Sequence, residues 1–113
     1  MTITIYHNPK CSNSRRALEF INASGSVPRV VDYQKNPLSR DELAALVQKM
    51  GVPVRGIVRE KEPLFASLHL DNASDDQLLD AVAAHPILLN RPIVVTDKGA
   101  KLCRPPEVVK SLL

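Results

Sequence analysis

A chain of 113 residues, 44% hydrophobic and 24% charged, has room for one compact domain and not for two. It holds no apolar run near the ~20 residues of a membrane span, and Met1-Thr2-Ile3-Thr4 lacks the basic and apolar regions of a signal peptide, so a cytoplasmic location is expected. A net charge of only +3, no tryptophan, two tyrosines and two phenylalanines argue against a nucleic-acid surface, which needs a basic tract and stacking platforms.

In chain order, Thr2 to Tyr6 alternates apolar and polar residues as a half-buried strand does. A loop through Pro9 leads to a helix from about Ser12 to Ser24, with Ala17, Leu18, Phe20 and Ile21 on its buried side and Gly25 just past its end. Arg29 to Tyr33 reads as a second strand, and so short a strand–helix–strand unit predicts a right-handed crossover and a parallel pair. Ser39-Arg40-Asp41-Glu42 is a capping box opening a helix over Leu43, Leu46, Val47 and Met50, which Gly51 ends. Residues 54–69 read as short helical pieces broken by Pro63. Ser74-Asp75-Asp76-Gln77 is a second capping box, leading into Leu78, Leu79, Val82 and Ala83, and His85-Pro86 stops that helix. Pro92–Thr96 and Ala100–Arg104 are β-rich runs joined by Asp97-Lys98-Gly99, the pattern of a hairpin with a G1 bulge. Pro106 to Leu113 reads as a short terminal helix with Val108, Val109 and Leu112 inward.

This order is that of an α/β, thioredoxin-like (glutaredoxin-like) fold: a mixed sheet flanked by helices, in a single domain over residues 1–113. A helical insert at about 39–86 separates its βαβ and ββα halves. In such a fold the first strand and the final hairpin share one sheet, so the end of strand one lies near Arg91 and Arg104. Charge follows the same division. Residues 1–35 and residues 91–113 each carry five bases and two acids, whereas residues 71–90 carry four acids and no base. If the two ends of the chain meet, they form a positive site for a small anion.

Two cysteines, Cys11 and Cys103, are too few for a disulfide scaffold, and a reducing cytoplasm keeps such thiols free. Cys11 falls where the first strand hands over to the first helix. There the free N–H groups and the helix dipole favour a negative charge, and such a site lowers a cysteine pKa from about 8.5 to between ~3.5 and ~7.5. Lys10, Arg15 and His7 add positive potential, and the same N–H groups can cradle an oxyanion. The alternative is a buried Cys11 acting as a small hydrophobe. His7 either stabilises the thiolate as imidazolium, assists proton transfer, or is a strand-end residue with a backbone partner. His85 complements a helix dipole, and no cysteine or histidine spacing suits a metal. Arg91 and Arg104 stand beside prolines at element ends, placed as forks for a polyoxyanion. Arg59, near Glu60, is either a third such group or half of a surface ion pair.

At these residues the chain resembles a known family. The runs Tyr6-His7-Asn8-Pro9-Lys10-Cys11-Ser12-Asn13-Ser14-Arg15, Gly56-Ile57-Val58-Arg59, His85 to Thr96 and Leu102 to Val109 are similar, in the same order, to the glutathione- and glutaredoxin-coupled arsenate reductases, the ArsC family. The resemblance implies reduction of arsenate to arsenite through a thioarsenate adduct on Cys11. It also implies a mixed disulfide with glutathione, reduced in turn by glutaredoxin. His7 would lower the cysteine pKa, and Arg59, Arg91 and Arg104 would bind the oxyanion and stabilise the transition state. No tightly bound cofactor is implied. Glutathione is a co-substrate, and a monomer with no nucleic-acid or membrane partner is expected. Ser12-Asn13 stand where well-studied members have Gly-Thr, and their longer C-terminal tail does not follow Leu113. Cys103 is expected to be packing rather than a resolving thiol. Two rival readings share the scaffold: a glutathione-linked thiol oxidoreductase without arsenate, and a Spx-like regulator that binds RNA polymerase. The second reads thiol state through CxxC, and here Ser14 occupies the place of the second cysteine.

Overall fold

In the computed structural model, which describes residues 2–113, the opening alternation becomes strand β1 over Thr4–His7. Ile3 and Ile5 turn into the core, and His7, expected beyond the strand, is its last residue. Helix α1 spans Ser12–Ala23 and buries Ser14, Ala17 and Ile21, three and four residues apart on one face. Gly25 follows at φ +84, the left-handed conformation that ends a helix without a Cβ clash. Strand β2, Arg29–Asp32, lies parallel to β1 with His7 opposite Asp32. On the other side of β1, strand β3 (Ile93–Thr96) runs antiparallel with Ile93 opposite Tyr6, and strand β4 (Gly99–Leu102) pairs antiparallel with β3. The order β2-β1-β3-β4 is a mixed four-stranded sheet with the thioredoxin-like connectivity.

At the hairpin, Thr96 stands opposite Gly99, whose φ is +133, and the Lys98 N–H donates to Thr96 Oγ1 at 3.1 Å. Strand β4 ends at Leu102, earlier than expected, because Pro92 and Pro105 have no N–H with which to extend the ladder. The terminal segment Pro106–Leu112 is a 3₁₀ run. Val109 and Leu112, three apart, therefore lie on one edge and are fully buried, while Val108 is only partly buried. They complete a core with Ile3, Ile5, Ala17, Ile21, Val94 and Cys103. Phe20 is half-buried at its margin, with Arg16 and Lys110 each over its ring.

The chain divides into two compact units, one built from the residues up to Asn36 with Arg91–Leu113, the other from Pro37–Asn90. Within the second, helix α2 (Arg40–Met50) opens on Ser39 and Glu42, each side chain bonded to the other's N–H at 3.1 and 3.0 Å. Helix α4 (Asp75–Ala84) opens on the same reciprocal pair from Ser74 and Gln77. Each cap stabilises its helix by about 1 kcal/mol. Gly51 at φ +67 closes α2. Pro63 does not break a helix; it starts helix α3, Pro63–Ser67, at the first position, where a missing N–H costs nothing. Helix α1 differs from α2 and α4: its N-cap is Cys11, which makes no capping hydrogen bond, and its first turn has no acidic residue. No helix among the described residues is long and apolar enough to cross a membrane.

Candidate active site

Four strand ends meet at one end of the sheet. Strands β1 and β2 finish there, β3 begins there, and β4 finishes there. Extending the register of Ile93 opposite Leu102 by two residues sets Arg91 against Arg104, beside the loop that follows His7. The Arg104 Nη1 donates to the Arg91 carbonyl at 3.1 Å and lies 4.0 Å from the Cys11 sulfur. The two basic ends of the sequence thus meet at Cys11.

The loop itself is fixed by Asn8, which is buried. Its carbonyl accepts the Cys11 N–H at 3.0 Å, its side-chain oxygen accepts the Lys10 N–H at 3.0 Å, and its own N–H donates to Ser14 Oγ at 3.0 Å. Arg15 adds a bond to the Pro9 carbonyl at 3.0 Å. Cys11 is free and half-exposed. Partial burial pushes its pKa up, but the facing N–H of Ser14, the Arg91 guanidinium and the N–H of Asn13 outweigh it, so the thiol titrates below its ordinary value.

His7 is buried, and its Nδ1 lies 2.7 Å from Ser14 Oγ. Burial lowers its pKa below 6.5, with Asp32 opposing and Arg15 assisting, so the ring is neutral at pH 7. Ser14 Oγ already accepts the Asn8 N–H, so its proton is free to reach Nδ1. Of the roles left open for His7, this geometry favours a neutral ring bonded to Ser14 over an imidazolium beside the sulfur. Ser14 was not singled out from the sequence. It occupies the second position of a would-be CxxC, yet it presents its N–H to the sulfur and its hydroxyl to His7.

Arg91 keeps two buried nitrogens, Nε and Nη1, without any hydrogen-bond partner. Orphaned buried donors are rare and costly, about 1–3 kcal/mol each, which marks a place where a ligand completes the bonding. A third orphan is the hydroxyl of Tyr33. That side chain is fully buried just after β2, with Asn8 and Gln34 as its nearest polar partners, neither in good hydrogen-bond geometry, and with Arg91 and Cys11 in electrostatic reach. Burial raises its pKa. Tyr33 was read only as the end of a strand; no local signal marks it. Cys103 is fully buried in the core, its thiol pushed up to about 12 by burial and directed at the Lys101 carbonyl. It is packing, as expected.

Arg59 belongs to the unit of residues 37–90. Its backbone N–H bonds the Leu88 carbonyl at 2.7 Å, next to the bridge between Val58 and Leu89. Its ion pair is with Glu62 at 3.8 Å, not with Glu60, which pairs with Arg55. The Arg59 Nε is buried without a hydrogen-bond partner. Among the described residues no three histidine, cysteine or carboxylate side chains gather as a metal ion requires.

Comparison with known proteins places this geometry in context. The sequence model of the ArsC family matches residues 6–112. An arsenate reductase of Acidiphilium multivorum is 52% identical over 98% of the chain and 80% of its own length. One from Escherichia coli is 51% identical over the same shares, 98% and 80%. Among solved structures, an arsenate reductase from Vibrio cholerae superposes with a TM-score of 0.96 at 44% identity, covering 100% of this chain and 98% of that one.

Proposed function

The chain belongs to the ArsC family and is an arsenate reductase, and from that premise we propose that Cys11 is the nucleophile and that glutathione and glutaredoxin supply the remaining electrons. The observation that carries this reading is a thiol of lowered pKa at the open end of α1, beside an arginine with two unpaired, buried donors. A tetrahedral dianion fits that set: its oxygens take the N–H groups of the first helical turn and the guanidinium groups of Arg91 and Arg104.

In the first step the Cys11 thiolate attacks arsenic and one arsenate oxygen leaves as water after taking up protons. The arsenic remains pentavalent. Arginine and helix N–H groups neutralise the charge on the oxygens as the bond forms. In the second step a glutathione thiolate attacks the Cys11 sulfur. A sulfur–sulfur bond forms, the sulfur–arsenic bond breaks, and its electron pair leaves with arsenic as trivalent arsenite. Arsenate and two thiols have then become arsenite, one mixed disulfide and water. Glutaredoxin removes glutathione from Cys11 by a further thiol exchange. His7 acts through Ser14 as a positioning residue for the Cys11 loop. A role for Arg59 as a third oxyanion ligand rests on the family resemblance alone, since its Nε faces Glu62 at 3.8 Å. This cycle needs no tightly bound cofactor and suits a reducing, cytoplasmic compartment.

The test is arsenate-dependent NADPH oxidation with glutathione, glutaredoxin and glutathione reductase. Turnover is expected from the wild-type chain and absent from Cys11→Ser. Turnover that persists in Cys11→Ser refutes the role of the thiol, and arsenite production that is independent of glutathione refutes the proposed reductant.

A further inference from the structure

A second feature lies next to Cys11 and takes no part in holding the oxyanion. A groove of about 410 Å³ runs between the loop after β1 and the residues after β2, lined by Asn8, Pro9, Lys10, Asp32, Gln34 and Lys35. That volume is in the range of small-molecule sites and far exceeds what a tetrahedral oxyanion fills. Lys10 and Lys35 are exposed and make no ion pair with any described residue. Asp32 accepts the backbone N–H groups of Gln34 and Lys35 at 3.2 and 3.4 Å and faces no paired cation. The groove therefore offers two ammonium groups, one carboxylate and two carboxamides. Both carboxamides also interact with the fully buried Tyr33 hydroxyl, which ties Asn8 and Gln34 to the core behind the groove.

We propose that this groove seats the thiol co-substrate, a small zwitterion with two carboxylates and one ammonium, the charge pattern of glutathione. Lys10 and Lys35 take the two carboxylates, Asp32 takes the ammonium, and the thiol is presented at Cys11, the residue after Lys10. The carboxylate of Asp32 repels a bare oxyanion, so the groove is not a second arsenate site. The inference rests on the glutathione step proposed above and adds where that thiol is bound. Its chemistry is the same: a glutathione thiolate joins the Cys11 sulfur and the group already on that sulfur leaves with the bonding pair. Without such a seat, glutathione would react no more selectively than any thiol of equal pKa.

The experiment needs no arsenate. Cys11 is converted to its mixed disulfide with thionitrobenzoate, and release of that chromophore is followed against the concentration of glutathione or of 2-mercaptoethanol, a neutral thiol. With glutathione the rate is expected to saturate, and Lys35→Glu is expected to raise the half-saturation concentration about fivefold, a modest effect because the pair is exposed. Gln34→Glu should act in the same direction. With 2-mercaptoethanol the rate should rise linearly and be indifferent to both substitutions. Linear dependence on glutathione, or an equal change for both thiols, overturns the groove while leaving glutathione as reductant. Release by 2-mercaptoethanol but none by glutathione overturns the groove and the glutathione step together.

Discussion

Removing the Ser14 hydroxyl, as Ser14→Ala, separates two things that residue does. The hydroxyl is fully buried and is the partner of both the Asn8 N–H at 3.0 Å and His7 Nδ1 at 2.7 Å. Deleting it leaves two buried polar groups unpaired, and each such group costs roughly 1–3 kcal/mol. Relaxation of the loop recovers part of this, so a net loss of about 2–3 kcal/mol is expected, on the order of 10 °C in melting temperature for a domain of this size. The backbone N–H facing the Cys11 sulfur survives the substitution, as do Asn13 and Arg91. The pH midpoint of Cys11 alkylation should therefore stay below that of an unperturbed thiol. Thermal melts and iodoacetamide kinetics against pH measure the two effects separately. A midpoint that rises to the ordinary thiol value would show that the hydroxyl, rather than the helix N–H groups and arginine, holds the thiolate. An unchanged melting temperature would refute the bridging role given to Ser14.

Three further outcomes follow from the same geometry. Tyr33→Phe deletes an unpaired buried hydroxyl, so stability without ligand should be equal or higher, while the rise in melting temperature produced by sulfate or arsenate should not increase; a loss of stability without ligand would mean that the hydroxyl is already satisfied. Cys103→Ala removes a fully buried sulfur and should cost about 1–2 kcal/mol by urea unfolding while arsenate turnover remains; loss of turnover at full folding would restore a resolving role. His7 has a folded pKa below 6.5, so the unfolded chain takes up its proton first as pH falls. Its contribution is fully present above 6.5 and is lost on acidification through the interval below it. The gap in stability between wild type and His7→Gln should therefore narrow from pH 7.5 to pH 5.5, and a gap that widens would contradict the neutral ring.

What was legible in the chain was mostly what is local. Both capping boxes could be read because each closes within four residues, and Gly25 and Gly51 could be read because a left-handed helix end strongly prefers glycine. The place of Cys11 was legible for the same reason: it sits at a helix N-terminus, whose N–H groups supply part of its electrostatics, while Arg91 adds the rest from a distant segment. Arg91 and Arg104 needed one long-range step, the hairpin register that sets them opposite each other. Ser14 and Tyr33 were not legible. Serine in a first helical turn and tyrosine at a strand end are commonplace, and their roles depend on the parallel pairing of β1 with β2 and on which polar atoms burial leaves without partners. The 3₁₀ form of the C-terminal segment escaped because helical spacing and a three-residue repeat differ little over so short a run.

Helices α2 and α4 close their first turns with their own side chains, and α1 does not. On the reading proposed above, an anion completes the start of α1: the Cys11 thiolate, whose pKa is lowered there, and the substrate oxygens during turnover. A stronger built-in cap at position 11 would steady the fold and disable it as a reductase. Cys11→Asp should therefore melt higher than wild type, by about 0.5–1 kcal/mol, while its response to sulfate disappears. On that reading, the softness of this helix end is what would make the molecule responsive to its substrate.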